Sequence, residues 1–202
     1  MEIAFNELEI SAIGEVANIS LGNAATALNI LLRNDIDISV PKVEFKNKGD
    51  IVREYSDNAI ITRVNYIKGL KGYSILFLKE DDVKVITDLM MGSDGHGMFY
   101  EQELNELHLS AVAEAMNQMM GSAATALSKM LDRVVDISTP ETSHLSAGDY
   151  ISYEFPDDNR FVQISFDVKL GNLILTEMIQ MYPFALAKAI ADLFIMKKDG
   201  ML

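Results

Sequence analysis

The chain has 202 residues, 49% of them apolar, enough to bury a sizeable core in one large domain or two small ones. Thirty acidic against 17 basic residues leave a net charge of −13, which repels nucleic-acid backbones and anionic lipid alike, and the lack of cysteine excludes disulfides and thiolate metal sites. No basic segment followed by an apolar run opens the sequence, and its most apolar stretch, 173–196, is interrupted by Glu177, Pro183, Lys188 and Asp192, so neither a signal peptide nor a membrane span is expected.

Residues 7–33 predict a long amphipathic helix. At about 100° per residue, Ser11, Glu15, Asn18 and Gly22 fall within an arc of roughly 60°, a polar stripe facing away from Ile13, Ala17, Leu21, Ala24 and Leu28. A glycine inside a helix costs about 1 kcal/mol relative to alanine. Gly22 on the stripe therefore signals close approach, by a partner or by packing within the protein. Residues 35–45 alternate apolar and polar on either side of Pro41, as an edge strand or strand end does, and 48–55 leave room for one helical turn. Two β-rich runs, 59–67 and 73–78, joined by Lys68-Gly-Leu-Lys-Gly72, predict a hairpin. Asp81 and Asp82 are placed to cap a helix reaching Met91, and Gly92-Ser-Asp-Gly-His-Gly97 breaks the chain.

From there the plan repeats. Ser110, Glu114, Asn117, Gly121 and Pro140 lie 99 residues after Ser11, Glu15, Asn18, Gly22 and Pro41, so Ser-x3-Glu-x2-Asn-x22-Pro occurs twice. The second long helix is predicted over 101–131, a strand over 134–139 ending on Pro140, and a polar connection over 147–159. A hairpin of 161–168 and 173–179 turns at Gly171, the counterpart of Gly72, and a helix starting at Pro183 reaches Lys197. The expected class is α/β (α+β): one domain, 1–202, made of α-β-β-β-α repeats 1–97 and 98–202. The halves join as a pseudo-twofold, mostly antiparallel six-stranded sheet with the long helices packed on it, or form two separate small sheets.

His96, His108 and His144 have no repeated partner at ligand or triad spacing and are expected at the surface or in loops. Ser11 and Ser110 lack an adjacent base, and no phosphate-binding glycine loop is present. The Glu-x-x-Asn pairs remain. Ten of eighteen positions are identical between 11–28 and 110–127 while strands and loops have diverged. Exposed polar residues that the fold does not demand, kept in both copies, favour a functional stripe over a merely solvated face.

The doubled Ser-x3-Glu-x2-Asn-x22-Pro pattern, carried by Gly14-Glu-Val-Ala-Asn-Ile-Ser-Leu-Gly22 and Glu114-Ala-Met-Asn-Gln-Met-Met-Gly-Ser-Ala-Ala-Thr125, resembles the CheC/CheX/FliY phosphatase family over nearly the whole chain. The Met-rich second run is most similar to the middle, CheC-like domain of FliY proteins. The resemblance implies a phosphatase acting on the aspartyl phosphate of phosphorylated CheY, a partner already holding Mg²⁺ and a lysine, with no cofactor or metal site of its own. It implies that Asn18 and Asn117 position the attacking water, and that Glu15 and Glu114 dock on the partner's lysine. Ser11 and Ser110 would support the helix surface, Pro41 and Pro140 would end a strand beside the motif, and Gly22 and Gly121 would admit the partner. A FliY protein would also meet the switch proteins FliM, FliN and FliG at the cytoplasmic face of the flagellar basal body. Family members of that kind usually carry an N-terminal regulator-binding peptide and a C-terminal FliN-like domain. A catalytic middle domain of a longer chain, a free-standing CheC-like phosphatase, and a non-catalytic switch scaffold related to the FliM middle domain all stay open. A small-molecule site at the pseudo-twofold would need a closed apolar pocket. At a net charge of −13, a face that docks another acidic protein is expected to be locally less acidic.

Overall fold

The computed structural model describes residues 5–55, 57–170 and 175–201. Helix α1 (Glu7–Leu32) starts on a capping box: Asn6 Oδ1 accepts from the Glu9 amide at 2.9 Å, and the Glu9 carboxylate accepts from the Asn6 amide at 3.0 Å. Then come β1 (Ile36–Ile38), β2 (Lys42–Asn47), α2 (Lys48–Glu54), the hairpin β3 (Asn58–Lys68) and β4 (Gly72–Leu78), and α3 (Glu80–Met90). The second half runs α4 (Met98–Glu101), α5 (Glu106–Met130), β5 (Asp136–Ile137), β6 (Glu141–Ser146), α6 (Ala147–Glu154), β7 (Arg160–Leu170), β8 (Leu175–Pro183) and α7 (Phe184–Lys198). Apart from the single turn α4, the order α-β-β-α-β-β-α occurs twice.

All eight strand segments belong to one antiparallel sheet of six rows, β1-β7-β8-β4-β3-β5, with β2 continuing β1 along β7 and β6 continuing β5 along β3. Exchanging the halves maps this order onto itself reversed. Each half's first strands therefore complete the other half's sheet. Both outer rows break at a proline, which has no amide to give the ladder. A serine two residues earlier closes each break. The Ser39 amide donates to Asp167 O at 2.9 Å while its hydroxyl accepts from the Asp167 amide at 2.9 Å, and Ser138 repeats this against Asn65 at 2.8 and 3.1 Å.

Strand alternation sends side chains to two cores. Ile60, Val64 and Tyr66 of β3, with Val162, Ile164 and Phe166 of β7, face α1, α3, α5 and α7; Ile61, Ile75, Phe77 and Met181 face α2 and α6. That second, smaller layer goes beyond the expected helices on a sheet. The polar connection 147–159 contains α6, whose Tyr150 and Ile151 are buried, and α2 completes two turns around the fully buried Ile51.

Other boundaries also shift. The stretch 101–131 is split at residues 102–105, and α5 opens on Asn105 rather than at 101. Helix α3 is capped at Lys79 without a side-chain bond, so Asp81 and Asp82 lie in the first turn, where the helix dipole favours negative charge. Expected at the surface, His108 is fully buried: its Nδ1 accepts from the Asn105 amide at 3.3 Å and its Nε2 donates to Phe99 O at 2.7 Å. It closes a capping box at the start of α5, a role that burial makes structural. His96 stays exposed, and His144 bonds Glu80 at 2.6 Å. Gly72 begins β4 after the β3–β4 turn, in which Gly69 has φ 80 and Val134 O would lie 2.1 Å from an added Cβ; its proposed counterpart Gly171, and the start of the second hairpin strand at 173, lie outside the described residues.

The glycine-rich link between the halves is organised by Asp88 of α3, fully buried. Its carboxylate accepts from the amides of Gly95 at 2.9 Å, Gly97 at 2.9 Å and Phe99 at 3.1 Å. Burial pushes this carboxyl group's pKa up, but hydrogen bonds from Gly97, Ser93, Gly95 and Phe99 outweigh it and hold the pKa below the usual value. A depressed folded pKa stabilises the protein above the unfolded value, about 3.9, and that contribution is lost as pH falls through the folded pKa. Asp88→Asn should therefore cost about 1.5–3 kcal/mol at pH 7. The gap from wild type should narrow on acidification, as read by denaturant titrations at pH 7 and pH 3.

Candidate active face on the paired long helices

Helices α1 and α5 pack side by side over the sheet, and equivalent positions meet where they touch: Ser122 Oγ donates to Asn23 O at 2.9 Å across an offset of 99 residues. Their apolar sides, Ile13, Val16, Ala17 and Leu21 in one and Val112, Met116, Met119 and Met120 in the other, are buried in the main core. The opposite side carries the stripe. Ser11, Glu15, Asn18 and Gly22 are exposed, as are Ser110, Glu114 and Asn117, with Gly121 partly so. Helical phase brings the same four residue types together twice on the surface.

Neither the Asn18 nor the Asn117 carboxamide is hydrogen-bonded to another described residue, so both amides have donors and acceptors free. The carboxylates are held. Glu15 Oε2 is 2.9 Å from Lys198 Nζ at the end of α7, and Glu114 Oε1 accepts from Gln118 Nε2 at 2.8 Å. Lys198 offsets the charge of Glu15 on the α1 face. At Gly22 and Gly121 nothing lies within 4 Å of an added Cβ, so packing within the described protein does not explain these glycines. Each glycine carbonyl accepts from a threonine hydroxyl one turn on, Thr26 at 3.2 Å and Thr125 at 3.0 Å.

Pro41 and Pro140 lie at the strand breaks already described, in the outer rows that follow α1 and α5. The end of each helix is pinned to the following strand at positions 99 residues apart, by different chemistry: Asn29 Oδ1 accepts from the Ile36 amide at 2.7 Å, Ser128 Oγ from the Val135 amide at 2.9 Å. Sequence reasoning missed three features of the face. Leu8 and Leu107, also 99 residues apart, are exposed within about 60° of the stripe, a repetition readable in the sequence. Gln118 could have been found as the residue four after Glu114. Lys198 had no sequence signal.

Chemically, the face offers a carboxylate for a cation and a neutral carboxamide able to hold a water. The described residues include no group of three His, Asp or Glu side chains spaced to hold a metal ion, and among them no helix is long and apolar enough to cross a membrane.

A pseudo-symmetric α/β sheet domain bearing twinned, outward Glu-x-x-Asn pairs is thus defined. The CheC-like family profile matches residues 8–44 and 107–144, both motif copies included. The crystal structure of Thermotoga maritima FliY superposes with a TM-score of 0.87 at 36% identity, covering 96% of this chain and all of that one. The flagellar motor switch phosphatase FliY of Bacillus subtilis is 41% identical over 184 residues, 91% of this chain and 48% of its own length. The chain belongs to the CheC-like family, and it spans about half the length of that curated relative. A chain of the FliG–FliM complex of H. pylori shares the fold alone, at a TM-score of 0.74 and 13% identity, with 93% and 100% of the two chains covered.

Because both stripe glycines border open space in mid-helix, Gly22→Ala and Gly121→Ala should each stabilise the fold by about 0.5–1 kcal/mol. A rise in Tm by calorimetry is the expected result, and a fall would mean that the space is filled from within.

Proposed function

We propose that this domain is a phosphatase for the aspartyl phosphate of phosphorylated CheY, acting at the cytoplasmic face of the flagellar motor switch beside FliM, FliN and FliG. The observation that carries this reading is the pair of exposed carboxamides, Asn18 and Asn117, each one turn from a carboxylate on a helix face that the fold itself does not need. Membership of the CheC-like family and the 41% identity to the flagellar motor switch phosphatase FliY of Bacillus subtilis support it.

In this mechanism Glu15 or Glu114 pairs with the regulator's lysine and sets the docking register. Asn18 or Asn117 then enters the regulator's site and holds one water in line with phosphorus. A bond forms from the water oxygen to phosphorus as the bond to the aspartyl oxygen breaks; the carboxylate leaves, and the water gives up a proton to the released phosphate. The regulator's own Mg²⁺ and lysine supply the charge stabilisation, so the phosphatase adds positioning. Ordering one water is worth about 10²-fold, near 3 kcal/mol. Ser11 and Ser110, on the same stripe, support the contact surface without entering the chemistry.

The test is phosphate release from phosphorylated regulator over time. Asn18→Ala with Asn117→Ala should abolish the acceleration, with partial activity left in each single variant; an undiminished rate in the double variant would remove both asparagines from the mechanism. Regulator binding without any change in phosphate lifetime would point instead to a scaffold.

A further inference from the structure

The two Glu–Asn pairs differ in their surroundings. Glu15 is ion-paired at 2.9 Å with Lys198, the last residue of α7, whose ammonium also lies 5.4 Å from the Phe194 ring centroid. Glu114 meets no cation among the described residues; its partner is the neutral Gln118, one turn on along α5. Copy one has Ile19 where copy two has Gln118, so α1 offers Glu15 no such donor. Copy two in turn has no equivalent of Lys198. Its neighbouring helix α3 spans 11 residues against 15 in α7 and gives way to the glycine-rich link beyond Met90.

Resting on the reading that each carboxylate docks on a cation of the phosphorylated partner, we propose that the free chain presents unequal sites: Glu114–Asn117 open, and Glu15–Asn18 held back by Lys198 as an internal competitor. A lysine already seated on Glu15 must be displaced before an incoming cation can pair there. Gln118 does the opposite for Glu114. A neutral donor fixes the carboxylate's orientation without cancelling its charge, which makes Gln118 a positioning residue. The Glu15–Lys198 pair is solvent-exposed, 44% and 64% by side chain, so site one is damped by no more than about fivefold rather than shut, and salt weakens the damping.

The experiment crosses Lys198→Met with each single-site variant of the chain and measures regulator dephosphorylation at low salt. Added to Asn117→Ala, where only site one works, Lys198→Met should raise the rate about twofold to fivefold. Added to Asn18→Ala, where only site two works, it should change nothing. Lys198→Arg, which keeps the ion pair, should leave the Asn117→Ala rate unraised, and the gain from Lys198→Met should fade at high salt. Equal effects in both backgrounds, or no gain in Asn117→Ala, would overturn the competitor assignment. A fully active Asn18→Ala, Asn117→Ala double variant would mark failure of the catalytic reading instead. Lys198 then still reports without catalysis: Glu15→Gln should speed reductive methylation of its amine, and an unchanged rate would show that the pair does not occupy Glu15 in solution.

Discussion

Strand exchange between the halves is the constraint on which this structure depends. Among the described residues, the rows β1–β2 pair only with β7, and β5–β6 only with β3, so neither half closes its own sheet. A lone half would leave a long strand edge unpaired, a template for wrong association. Helix α1 feeds β1 at one edge of the sheet and α5 feeds β5 at the other, and the two helices pack against each other over the sheet with their apolar sides buried in the main core. The polar stripes then point outward by helical phase alone.

Duplication supplies an internal comparison for each position. Core positions behave unevenly: Val16 faces the core from one helix and Ala115 from the other, Leu28 and Leu127 are the same residue, and Asn29 and Ser128 pin the helix ends with different groups. Where packing dictates nothing, on the stripe, identity is kept. Serine, glutamate, asparagine and glycine recur at solvent-facing positions where alanine would serve the helix as well or better. The carboxylate partners have diverged, Lys198 for one glutamate and Gln118 for the other, so identical residues sit in different electrostatic settings.

Much of this was legible in the sequence because the physics was local. The 3.6-residue period located α1 and the outward side of Glu15 and Asn18, and β-branched runs around a glycine-rich turn located β3 and β4. What stayed hidden depended on distant partners. Glu141-Thr-Ser-His-Leu-Ser146 is too polar to read as a strand, and becomes one because β3 presents an edge to it. Helices α2 and α6 are short and turn only a few apolar residues inward, so their cover of the sheet's second face left little periodicity to read. His108 lies near a helix start, where an exposed residue is the usual expectation, and its burial follows from α4 folding back to offer the Phe99 carbonyl. The contact between Glu15 and Lys198 spans 183 residues and had no local trace.

An outward docking face makes a direct demand on two side chains. The most direct measurement is NMR observation of the asparagine side-chain amides while the response regulator, carrying a stable beryllofluoride in place of its phosphoryl group, is titrated in. Asn18 and Asn117 should shift or broaden together with the amides around Gly22 and Gly121, while the regulator without beryllofluoride leaves them far less changed. Undisturbed Asn18 and Asn117 resonances, with the changes gathered elsewhere on the domain, would contradict the placement of the active face on these helices.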